Sequence, residues 1–149
     1  MCCWRRRTTV DEHGRPSIDT SALVRILKRP ARALREKPLE EGLIARCPLT
    51  EVEFLHSARN AEDRAELVRD LDAVFGWTPL DDRAVTRAGD VQRELTEKGR
   101  HRCAGALDLL VAATAELQGL TVLHYDSDFE TIASVTGQPT QWLAAPGTL

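Results

Sequence analysis

Five acidic residues have the types and positions to do chemistry together: Asp19, Glu53, Asp108, Asp126 and Asp128. Asp19 follows Ile18 in PSIDTSALVRIL and precedes an apolar run. Glu53 lies in CPLTEVEFLHSARN, three residues after Thr50, and Asp108 heads LDLLVAATAEL. Asp126 ends LTVLHYD, and Asp128 begins DFETIASVTG. In a parallel α/β sheet, strand carboxyl ends and helix amino ends share one edge, and ligands bind there. The spacing therefore places all five acids on one rim.

Each acid also has a local reading. A short polar side chain at position 19 satisfies the first free N–H groups of a helix. Thr50-x-x-Glu53 has the form of a capping box. Asp128 before Phe129 reads as an N-cap, and Asp126 as the close of a turn. Asp108 is harder to explain locally. Its neighbours Leu107, Leu109, Leu110, Val111, Ala112 and Ala113 are apolar, and an unpaired carboxylate among them is costly. The helix dipole returns only about 0.3–1 kcal/mol, and no Lys or Arg follows within a turn. Together the acids raise a sharper difficulty. Two ionised carboxylates about 5 Å apart repel by roughly 3 kcal/mol at an effective dielectric near 20, and four of them make about six such pairs. Either some protonate or a divalent cation joins them. A set with oxygen ligands and no Cys or His calls for Mg²⁺ or Mn²⁺. Such ions keep waters and bind phosphate oxygens, which suits phosphodiester hydrolysis without a covalent nucleophile. Neither a G-x-S-x-G elbow nor a glycine-rich phosphate loop competes for the role.

The elements that must position these acids alternate. A helix is expected over Ser21–Leu27, stopped by Pro30, then a loop marked by Pro38 and Gly42, then the strand-like LIARCPL. Helical spacing continues through TEVEFLHSARN. It recurs in AEDRAELVRDLDAVFGW, with Leu67, Leu71, Val74 and Phe75 on one face. Asp81 or Asp82 is placed to cap a helix carrying Val85, Ala88, Val91 and Leu95 and ending at Gly99. LDLLVAATAEL is apolar on nearly every side, a buried helix. LTVLHYD reads as a strand, DFETIASVTG as a short helix and TQWLA as a last strand. The order predicts an α/β sandwich around a mainly parallel sheet.

At 149 residues, 42% apolar and 29% charged, the chain has the size and composition of a single soluble domain. No apolar run approaches the roughly 18 residues of a membrane span. Residues 1–15, with Arg5, Arg6 and Arg7, show no periodicity and are expected to form a disordered leader before one domain over 16–149. Four cysteines without CxxC spacing argue against zinc and fit a reducing cytoplasm. A formal net charge of −3 gives no global pull toward nucleic acid, so an RNA partner must be held locally or through a metal.

IDTSALVRIL, CPLTEVEFLHSARN, LDLLVAATAELQGLTVLHYDSDFETIA and TGQPTQW together resemble a PIN-domain ribonuclease, more narrowly the VapC toxins of bacterial toxin–antitoxin pairs. The resemblance covers roughly residues 17–147. It implies a PIN-like three-layer sandwich and a metal-dependent endoribonuclease, neutralised by a small cognate antitoxin and usually a homodimer. It also implies that Asp19, Glu53, Asp108 and Asp126 form the Mg²⁺ site with Asp128 close by. The T-x-x-E spacing of the family selects Glu53 over Glu51. The family's apolar first strand is replaced here by Pro16, Ser17 and Ile18, so a short strand is expected before Asp19.

Around the rim, Thr20 and Ser21 have the chemistry to orient Asp19, or simply to cap a helix. Thr20, with Arg100, His101 and Arg102 of KGRHR, could contact an RNA backbone through charge and hydrogen bonding. Basic residues also commonly close helices. His124 reads as structural, and Trp77 and Trp142 as core or interface. Two rivals remain: a phospho-accepting receiver domain, which would want an acid pair after the first strand and a late lysine, and a catalytically silent PIN-fold binding module.

Overall fold

The computed structural model describes residues 14–27, 33 and 35–149. Positions 1–13 of the expected leader, and Pro30, lie outside the described residues. Gly14 and Arg15, assigned to that leader, instead belong to the folded body. The Arg15 guanidinium donates from Nε to Leu43 O and from Nη2 to Gly42 O, both at 2.9 Å.

Five short strands form one parallel sheet: β1 Pro16–Ile18, β2 Ala45–Arg46, β3 Gly76–Trp77, β4 Thr121–His124 and β5 Thr140–Trp142, in the order β3-β2-β1-β4-β5. β1 is short, as expected, yet central. Ile18 pairs with Leu123, and the ladder runs one step further as Asp19 N donates to Leu123 O at 3.1 Å. From β1 the chain builds outward to β3, then returns to the other side of β1 for β4. The strand order therefore reverses between β1 and β4, where open α/β sheets form their binding crevice.

Among the described residues, seven helices cover the two faces: α1 Thr20–Ile26, α2 Glu36–Glu40, α3 Pro48–Leu55, α4 Ala61–Val74, α5 Ala84–Glu97, α6 Ala106–Leu117 and α7 Asp128–Thr136. Successive strand residues face opposite sides, and two cores result. Ile18 and Leu123 pack with Leu23, Ile26, Leu71 and Phe75 on one face, while Val122 packs with Leu95, Val111 and Phe129 on the other. This is the three-layer sandwich that the alternation of elements implies.

Several boundaries differ from expectation. Pro38 sits inside α2, in a first turn whose N–H groups have no helical partner to lose. LIARCPL gives only two strand residues, because Pro48 starts α3 immediately, and proline is pre-set for a first helical position. Neither Asp81 nor Asp82 caps α5: Arg83 holds that position, and Asp81 accepts from the Arg83 N–H in the turn before it. The buried stripe of α5 is Ala84, Ala88, Val91 and Leu95, leaving Val85 exposed. Sequence pattern had no signal for β3.

Candidate active site

Asp19 stands where β1 ends and α1 begins, and it is almost fully buried. Its carboxylate caps the helix, accepting from Ser21 N at 3.0 Å, Ala22 N at 3.1 Å and Ser21 Oγ at 3.0 Å. Three donors should favour the charged form, yet burial outweighs them and pushes the carboxyl up from 3.8 to about 6, with the nearby charge of Asp108 adding to the rise. Ser21 Oγ in turn accepts the N–H of Tyr125 at 2.9 Å. One hydroxyl thus ties Asp19 to the chain leaving β4, which carries Asp126.

Glu53 does not occupy a capping box. α3 begins at Pro48, so Glu53 lies in its second turn, and Thr50 is no cap: its hydroxyl is fully buried and donates to Ile18 O at 3.1 Å. That bond fixes α3 against the end of β1. Glu53 then faces α1 across the crevice and accepts the Thr20 hydroxyl proton. Glu51, the acid set aside, turns away to the buried Arg46 guanidinium at 2.8 Å.

Asp108 is the third residue of α6, half-buried, and accepts from Gly105 N at 3.1 Å. It therefore has the local capping role that the apolar composition of its helix seemed to deny. Burial raises its pKa first, and the charges of Asp126, Asp128 and Glu53 raise it further, against the lowering effect of the Gly105 N–H. Asp126 lies two residues beyond β4, and its Oδ1 accepts from Asp128 N at 3.0 Å. Ser127, not Asp128, precedes the first turn of α7; the Asp128 carboxyl is raised by burial and then by the charge of Asp126.

The structure thus brings Asp19, Glu53, Asp108, Asp126 and Asp128 to one edge of the sheet, close enough that Asp108 feels the charges of Glu53, Asp126 and Asp128, and Asp19 feels that of Asp108. Among the described residues none of the five is in an ion pair. Nor does any group of three His, Cys, Asp or Glu side chains there already converge into a cage for an ion. The hydrogen bonds explain why: each of Asp19, Glu53, Asp108 and Asp126 is turned toward a neighbouring N–H or O–H. The donors are all hard carboxylate oxygens on separate elements, which fits Mg²⁺ or Mn²⁺ held by a few carboxylates and water. Arg100, His101 and Arg102 are exposed in the loop between α5 and α6, just before Asp108 in the chain, and form no ion pair with the acids among the described residues.

The model of the PIN domain family matches residues 17–135. The chain is 42% identical over 131 residues to Ribonuclease VapC21 of Mycobacterium tuberculosis, covering 88% of this chain and 95% of that protein. The chain belongs to the PIN-domain family, in its VapC branch. Ribonuclease VapC51 of the same organism is 42% identical over 133 residues, covering 89% of this chain and 95% of the relative. The fold of this PIN domain is shared with a DNA-bound VapBC from Salmonella typhimurium at a TM-score of 0.73, with 21% identity over 87% of this chain and 98% of that one.

Sequence reasoning missed one residue that shapes this PIN-domain rim. Arg46 is buried in β2, where its guanidinium meets Glu51, Asp72 and the carbonyls of Leu71 and Phe75. Nothing local to IARC announces that role, since its partners come from α3 and α4. His124, read from the sequence as structural, is fully buried, and its ring accepts the Asp126 N–H.

Proposed function

We propose that this PIN domain is a Mg²⁺-dependent endoribonuclease toxin that hydrolyses RNA phosphodiester bonds and is neutralised by a small cognate antitoxin. One observation carries the reading: five carboxylates from four separate segments gather at the β1/β4 edge of the sheet, with no cation paired to them among the described residues. The relatives named Ribonuclease VapC support the reaction class, and the VapBC title of the structural neighbour supports the antitoxin.

Asp19, Glu53, Asp108 and Asp126 would hold the ion, with Asp128 beside them. The chemistry supplied by a hard dication bound there would be polarisation of a phosphodiester and a lowered pKa for an attacking water. The chain's own residues set the geometry. Ser21 fixes Asp19, Thr20 fixes Glu53, the Gly105 N–H fixes Asp108 and the Asp128 N–H fixes Asp126. Arg100, His101 and Arg102 would grip the RNA backbone beside the rim, an attraction that weakens with salt. An apolar groove of about 400 Å³, lined by Pro48, Leu49, Val52, Glu53, His56 and Leu107, adjoins the acids. An antitoxin's C-terminal segment would lie in it and offer a cation to the carboxylates. Homodimerisation and a cytoplasmic place of action belong to the same reading; among the described residues no helix is long and apolar enough to cross a membrane.

The test is RNA cleavage by the purified protein with Mg²⁺ or Mn²⁺, with and without EDTA, beside Asp108→Asn. Cleavage should stop with EDTA and fall at least about a hundredfold in the variant, the scale of losing one electrostatic catalytic group. Cleavage that persists in either case contradicts the metal mechanism. Growth arrest on induced expression, relieved by Asp19→Ala, would set the toxin apart from a silent module.

A further inference from the structure

Behind Asp126 lies a fully buried ring that the proposed reaction does not use. His124, the last residue of β4, sits between Phe129 and Trp142, with ring centroids 5.4 and 4.7 Å away. Its Nε2 is 3.1 Å from Glu130 Oε1, and its Nδ1 is 3.3 Å from the backbone N of Asp126. A backbone N–H only donates. Nδ1 is therefore the bare acceptor, and Nε2 carries the proton given to Glu130.

The orientation of the ring is fixed from two elements, α7 and β5. Glu130 comes from the first turn of α7, and its Oε1 also accepts the Thr140 hydroxyl of β5 at 2.7 Å. Trp142 of β5 and Phe129 of α7 pack tilted against the ring, at interplanar angles of 54° and 37°. Asp126 lies beyond the strand ladder, so its N–H takes the ring nitrogen as acceptor where a strand carbonyl would otherwise serve. Its carboxylate then turns onto the Asp128 N–H. The main chain of Asp126 is thus pinned on one side and its side chain on the other.

We propose that His124 is a positioning residue for the dication site: its Nδ1, aimed by Glu130, holds the Asp126 backbone so that the carboxylate reaches the rim. This rests on the dication reading above. Hydrogen-bond partners that aim a metal ligand typically change metal affinity about 10–100-fold when they are removed.

Two substitutions separate the ring nitrogens. His124→Asn keeps an acceptor, its Oδ1, near the place of Nδ1 and gives up Glu130. His124→Gln reaches Glu130 with its amide and gives up the acceptor for Asp126. Both lose the same aromatic packing, so thermal unfolding of the pair controls for stability. Wild type and both variants, as full chains, are titrated with Mn²⁺ while free Mn²⁺ is followed by electron paramagnetic resonance. Exchange of the Asp126 amide is measured by NMR without metal. The expected result is a loss of Mn²⁺ affinity of about tenfold or more in H124Q, with faster Asp126 exchange, while H124N retains the slow exchange and most of the affinity. Equal affinity in all three proteins overturns the proposal, as does a loss in H124N as large as in H124Q. A wild type that binds no Mn²⁺ overturns the dication reading itself, and this role with it.

Discussion

Asp19 is at once a helix cap and, in the proposed function, a ligand of the dication. It caps α1 with three accepted hydrogen bonds, and it is still buried at a cost to its charge. A tenfold change in proton affinity corresponds to about 1.4 kcal/mol, so ionising Asp19 in the metal-free protein costs roughly 3 kcal/mol. The sign follows from linkage. The folded protein holds this proton more tightly than the unfolded chain, so the contribution is fully present below pH 3.8 and is lost as pH rises through about 6. In EDTA, unfolding free energy should fall across that window, and Asp19→Asn, which keeps a good cap, should remove much of the fall while abolishing RNA cleavage. Denaturant melts at a series of pH values check this. A variant as pH-sensitive as wild type there would show that the burden lies on other groups. The acids themselves were legible in the sequence because position relative to a strand end is a local property. Their partners were not. Thr20 reaching Glu53 and Ser21 bridging to Tyr125 are contacts between elements far apart in the chain, invisible to any short window.

At the scale of elements, the rim depends on how α3 and β2 are anchored. Thr50 was read as half of a capping box, a pattern that local spacing cannot tell from a tertiary bond; its hydroxyl in fact ties α3 to Ile18 O beneath Asp19. Thr50→Val keeps the shape and leaves that buried carbonyl unpaired, and should cost about 1–3 kcal/mol, with Thr50→Ser largely restoring stability. Arg46 is the other anchor. Removing one partner of a buried charge network typically costs about 3–5 kcal/mol; because Asp72 is largely exposed, Arg46→Met should fall at or below the lower end, measured by chemical denaturation. β2 and β3 escaped or blurred in the sequence for a physical reason. A two-residue strand carries no periodicity, and an arginine is by type a surface residue until α3 and α4 supply its acceptors. Helices α4, α5 and α6, each at least 12 residues long, have room to display their apolar stripes and were readable.

At the scale of the molecule, two cores clamp one parallel sheet, and the reversal of strand order between β1 and β4 brings strand ends from both halves together. Among the described residues no Lys, Arg or His is ion-paired with the acids there, so under the proposed function a bound dication would relieve their mutual repulsion. Mg²⁺ at a hundred times its dissociation constant should therefore stabilise the protein by about 2.7 kcal/mol by mass action, read as a rise in Tm that Asp108→Asn diminishes. The most direct measurement is anomalous diffraction from crystals of the protein soaked in Mn²⁺. The expected result is a peak in the crevice within coordination distance of carboxylates from Asp19, Glu53, Asp108 and Asp126. A peak elsewhere, or none beside ordered acid side chains, would contradict the account.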